Sequence, residues 1–107
     1  MTILEREIQR ISAAVEQATG FGLEDIRARN RRLPVVRARI ILCYEIYKRG
    51  VSAQEIGQAI HRDRSSIYYL IDHYWDEFDT SPVFREIALR IEEELRYNLV
   101  LNRERNL

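Results

Sequence analysis

The stretch VSAQEIGQAIHRDRSSIYYLI, residues 51 to 71, contains two helix starts so close together that few folds can accommodate them. Ser52 is placed as an N-cap, Glu55 completes a capping box three residues on, and Val51 with Ile56 forms a hydrophobic staple. These signals predict a short helix from about Ala53 to Ile60. After His61-Arg62, Asp63 can cap a second helix in which Ile67, Leu70, Ile71, Tyr74 and Phe78 form the inward stripe. Two helices joined by about three residues, the second opening on polar side chains, make a helix-turn-helix.

The rest of the chain carries the same helical period, and no stretch keeps the alternation of a half-buried strand. Leu4, Ile8, Ile11, Val15 and Ala18 predict a first helix ended by Gly20 and Gly22. A short second helix is expected over Leu23 to Arg29. Pro34 suits a first turn, and Val36, Ile40, Cys43, Tyr44 and Tyr47, with Ile41, Leu42 and Ile46, predict a central helix closed by Gly50. Ser81-Pro82 opens a last helix with Phe84, Ile87, Ala88, Ile91 and Leu95 inward and Glu86/Arg90 and Glu92/Arg96 as outward pairs. The expectation is an all-α, six-helix orthogonal bundle. It is read as one domain over 1–107, with a core at about 3–96 and a helix end or tail at 97–107.

Charge is balanced overall, with 17 basic and 17 acidic residues, but unevenly distributed. Residues 27 to 49 carry eight basic groups and one acidic group, whereas the segments on either side are net acidic. A local basic patch binds anions even in a neutral molecule. Cys43, the single cysteine, excludes an internal disulfide and lies in an apolar run. With no signal-peptide pattern and no apolar run long enough to span a bilayer, the expected location is cytoplasmic and no membrane partner is expected.

First-turn side chains of a recognition helix reach base edges and phosphates, and the free amides there favour an anion. Ser65, Ser66, Tyr69, Asp72 and His73 fall opposite the apolar stripe. Arg64 is the candidate for a bidentate guanine contact, with Ser65, Ser66 and Tyr69 reaching bases or phosphates, and Arg62 and Asp63 beside them are counted in the DNA-binding set. Arg27, Arg29, Arg31 and Arg32, followed by Arg37 and Arg39, are the candidate phosphate contacts, in a loop able to lie along a backbone or enter a minor groove.

Residues 8 to 74, from IQRISAAV to YLIDHY, resemble the C-terminal DNA-binding domain of the bacterial replication initiator DnaA, and the likeness continues more loosely to about residue 95. The resemblance rests on an N-terminal helix, a basic loop, VVRAR opening the central helix, EIG, and RD followed by two hydroxyl residues. The family's signature Arg-Asp-His-Thr-Thr reads here Arg62, Asp63, Arg64, Ser65 and Ser66, and its minor-groove arginine falls on Arg31. The resemblance implies a Trp-repressor-like, six-helix domain that places a helix in the major groove of duplex DNA, with monomer as the default and a weak dimer open. Departures are His61 where the family has Gly-Gly, Arg64 for His, serines for the threonine pair, and Asp72 at a basic position. The chain contains no Gly-rich Lys-Ser/Thr loop, so ATP-driven origin opening does not carry over.

The expected function is sequence-preferring duplex DNA binding by a replication or transcription accessory protein of a phage or mobile element, with no catalytic residues, metal or cofactor. The alternative is a protein-interaction adaptor that uses the acidic last helix and the apolar tail Leu99, Val100 and Leu101 to dock on a partner. Several residues have plainer readings. Asp63 is expected as a cap, while Tyr68, Tyr74 and Trp75 are expected in packing. Cys43 is expected as an inert core residue, and Glu92 to Glu94 as a solvated face.

Overall fold

The computed structural model describes residues 1–105, with side chains described through Arg96. Six α-helices follow in order: α1 (Ile3–Thr19), α2 (Leu23–Arg27), α3 (Leu33–Tyr47), α4 (Ala53–Ile60), α5 (Arg64–Thr80) and α6 (Pro82–Arg105). The all-α expectation therefore holds. The side chains of the expected tail, Leu99, Val100 and Leu101 among them, lie outside the described residues.

Local chemistry sets the helix ends. Thr2 Oγ1 accepts the Glu5 amide at 3.1 Å to start α1, and Gly20, at φ 82, ends it by donating to the Glu16 carbonyl at 2.7 Å. At the start of α4, Ser52 Oγ accepts the Glu55 amide while the Glu55 carboxylate accepts the Ser52 amide, both at 3.2 Å. The expected capping box is formed. Asp63 caps α5, accepting the Ser66 amide on Oδ1 at 2.7 Å.

Helix α3 is central, packed between α1 and α5, with α2 and α4 at its flanks; α6 closes the bundle against α1 and α5. Its Ala38, Ile41, Leu42, Cys43 and Ile46 are fully buried and meet Ile11, Ile56, Ile67, Phe84 and Ile91 from the surrounding helices. Burial of each large aliphatic contributes about 1.5–3 kcal/mol, so Ile41→Ala would cost about 2–5 kcal/mol through lost transfer energy and the cavity left behind. Tyr74 is buried with its ring stacked on Tyr44 at 3.6 Å.

Three features depart from the sequence reading. Helix α2 stops at Arg27 rather than Arg29, because Ala28 turns extended and its carbonyl is taken by arginine side chains instead of a further helical turn. Glu45 is fully buried in the helix expected to be mostly apolar, and is held by Lys48 at 3.0 Å and Arg49 at 2.8 Å. Tyr68 and Trp75 pack on neighbouring rings as expected, yet remain 45% and 53% exposed rather than buried.

Candidate nucleic-acid interface

The turn between α4 and α5 is compact for a steric reason. The Arg62 amide folds back to the Gly57 carbonyl at 2.8 Å, and a Cβ on Gly57 would collide with the Arg62 carbonyl oxygen. Only glycine lets the chain pass this close. His61 takes the left-handed conformation at φ 60, ψ 47, a position where the family carries glycine by the resemblance and where a side chain is strained.

Arginines bolt the basic loop to this turn. Arg62 Nη1 donates to the carbonyls of Arg27 at 3.0 Å and of Ile60 and His61 at 3.2 Å, while its Nη2 donates to Ala28 at 2.7 Å. From the core side, Arg39 Nε donates to Ile26 at 2.9 Å, and Arg39 Nη2 donates to Ala28 at 3.0 Å and Asn30 at 3.2 Å. Arg27 Nε closes the clamp on the Ala59 carbonyl at 2.8 Å. A guanidinium suits this work because its planar fork of donors can satisfy several carbonyls at once.

These hydrogen bonds divide the six arginines expected to hold phosphates into those with protein partners and those without such a role in the clamp. Arg39 is 5% exposed, with donors engaged by the loop; burial, followed by the nearby Arg62 charge, lowers its pKa. Arg62 is likewise committed to backbone carbonyls. Arg37 pairs with Glu77 of α5 at 3.2 Å, and Arg27, bonded to the Ala59 carbonyl, also lines the cleft between α1 and α4. Arg29, Arg31 and Arg32 remain as the exposed cations of the loop.

The clamp brings the loop beside the start of α5. Arg29 and Arg31 line a groove of about 460 Å³ with Asn30, His61, Asp63 and Ser66. A neighbouring hollow of about 390 Å³, sharing Asp63 and Ser66, continues past Ser65 to Tyr69. Arg64 stands exposed at the first residue of α5, Ser65 and Tyr69 are exposed, and Ser66 is half-buried. The Asp63 pKa is lowered from its ordinary value, chiefly because the Ser66 backbone amide and then the Ser66 side chain hydrogen-bond its charged form. Asp63 is a cap, as expected.

Two residues outside the expected site also belong to this surface. Asn30 Oδ1 accepts the Arg32 amide at 2.9 Å, shaping the loop. His73 stacks on Tyr69 with ring centroids 4.1 Å apart and places Nδ1 2.8 Å from the Tyr69 carbonyl oxygen. The sequence signal for the second was the i,i+4 spacing on the outward face.

A capped helix pair with a three-residue turn and an exposed basic loop beside its second helix defines a helix-turn-helix protein of the DNA-binding class. More specifically, the chain belongs to the bacterial DnaA protein helix-turn-helix family, whose model matches residues 8–73. The matched stretch runs from α1 into the middle of α5, and so takes in the loop, the turn and the groove. No curated protein matches the chain. Among the described residues no helix is long and apolar enough to cross a membrane, and no cluster of His, Cys, Asp or Glu could hold a metal.

Proposed function

We propose that the protein is a sequence-preferring duplex DNA-binding module, a replication or transcription accessory factor acting in the cytoplasm by binding rather than catalysis. The observation that carries this reading is the shared groove: Arg29 and Arg31 on a clamped loop flank the first turns of α5, where Ser65 and Tyr69 are exposed. Arg29, Arg31 and Arg32 engage phosphates or a minor groove, and Arg64, Ser65 and Tyr69 approach base edges in the adjoining major groove. Cys43 supports a non-catalytic reading, since burial pushes its thiol up to about 12.

The test is selection of duplexes from a randomised library, followed by fluorescence anisotropy of enriched and scrambled duplexes over a salt series. An enriched motif whose affinity falls steeply with salt is the expected result, because counterion release scales with the phosphates neutralised. Absence of enrichment, with no binding at low salt, would overturn the proposal and favour the adaptor reading.

A further inference from the structure

Helix α5 changes character halfway along. Its first turns carry Arg64, Ser65 and Ser66, yet no lysine or arginine occurs between Arg64 and Arg85, while Asp72, Asp76, Glu77 and Asp79 follow in quick succession. A phosphate backbone is repelled from this half. The helical period places Tyr68, Asp72, Trp75 and Asp79 on one stripe, with rings and carboxylates alternating at spacings of four, three and four.

The rings on this stripe are supported from behind. Trp75 meets Tyr44, Tyr74 and Phe78 edge-on, at centroid distances of 5.7, 5.1 and 5.2 Å, and Tyr68 meets Tyr47 of α3 at 6.3 Å. Tyr47 is 39% exposed, beside the half-exposed Tyr68 and Trp75. Three part-open rings amount to roughly 300 Å² of surface, within the range of functional patches and well below the ~800 Å² per partner of a stable protein interface. That area suits a short segment better than a second copy of this chain. An aromatic face beside a carboxylate attracts a cation twice, through the ring quadrupole and through charge.

We propose that this stripe, with Tyr47 across from it, docks a Lys/Arg-bearing amphipathic helix of a partner protein. Its apolar side chains rest on the rings and its cations lie between ring and carboxylate. Trp75 and Asp79 lie beyond the stretch matched by the family model and Tyr47, Tyr68 and Asp72 within it, and none of the five lines the groove or the hollow at the start of α5. Docking is therefore compatible with bound DNA and does not depend on it.

Trp75 is the single tryptophan, so its emission reports occupancy of the stripe directly. The probe is a synthetic leucine-faced helical peptide bearing lysine and arginine, compared with a counterpart bearing glutamate, titrated into the full chain with and without duplex DNA. The expected result is a saturable, salt-sensitive emission shift with the basic peptide alone, weakened about tenfold in Asp72→Asn/Asp79→Asn. Asp79→Asn alone, at the end of the stripe away from the groove, should weaken the peptide and leave duplex affinity at the parent value, which separates this surface from the DNA reading. No shift up to millimolar peptide, an equal response to the acidic peptide, or an undiminished response in the double variant would overturn the proposal. A shift caused by protein concentration alone would assign the surface to a second copy and overturn it, as would one caused by DNA alone, which would make it a nucleic-acid face.

Discussion

The guanidinium groups of Arg39 and Arg62 meet on one acceptor: both donate to the carbonyl oxygen of Ala28, at 3.0 and 2.7 Å. Two cations converge because the last carbonyls of α2, at Ile26 and Arg27, and those of Ala28 and Asn30 just beyond it need donors that a further helical turn would have supplied. The most basic segment of the sequence is thereby divided into clamps and free charges.

Arg39→Met should unfold about 2–4 kcal/mol more easily in urea, since it strands the buried Ile26 carbonyl and removes a donor from Asn30, while Ala28 keeps Arg62. Arg39→Lys should recover little, because one ammonium cannot span Ile26, Ala28 and Asn30 as the fork does. A variant with parental stability and lost DNA affinity would instead make Arg39 a direct phosphate ligand.

Arg29→Ala, Arg31→Ala and Arg32→Ala should leave the urea midpoint nearly unchanged, as each side chain is exposed. Each should weaken binding to every duplex and reduce the slope of log affinity against log salt by about 0.9 for each phosphate that is no longer neutralised. Unchanged slopes across all three would remove the loop from the interface.

Arg64→Ala should act differently, relaxing preference at one base pair at a cost of about 1–3 kcal/mol while scrambled duplexes are affected much less. Anisotropy with single-base variants of the selected site measures this. Equal losses on all sequences would place Arg64 on phosphate.

The Asp63 cap should show in the acid limb of stability. Hydrogen bonds from Ser66 lower its folded pKa below the unfolded value, so its stabilisation is fully present above the ordinary carboxylate range and drains as pH falls through the lowered folded value. Asp63→Asn retains an acceptor for the Ser66 amide but removes this dependence; Asp63→Ala loses both. Parallel urea midpoints for all three proteins from neutral to strongly acidic pH would contradict the assignment.

His61→Gly should stabilise the fold by up to about 1 kcal/mol, the relief of left-handed strain less the entropy glycine loses on folding. A lower melting temperature would mean that the imidazole makes an interaction worth more than the strain.

Much of this architecture follows from neighbours in the chain. The capping box at Ser52 and Glu55, the Asp63 cap, the Gly20 stop and the inward stripes of α1, α5 and α6 depend on residues three or four apart. The sequence by itself therefore determined the helices, their order and the helix-turn-helix, along with the likeness to the family. It also located the basic loop and the first turn of α5.

Only the tertiary structure decided what each charge and ring does there. Arg37 is paired with Glu77 forty positions away, Arg62 reaches carbonyls thirty-four and thirty-five positions back, and Arg39 is buried beneath the loop it holds. The helices packed around α3 buried Glu45, whose charge is met by Lys48 and Arg49, and Trp75 was left open although its neighbour Tyr74 is buried. The reason is range: helical periodicity and capping are settled within a turn or two of chain, whereas desolvation and long side-chain hydrogen bonds depend on which distant segments pack alongside.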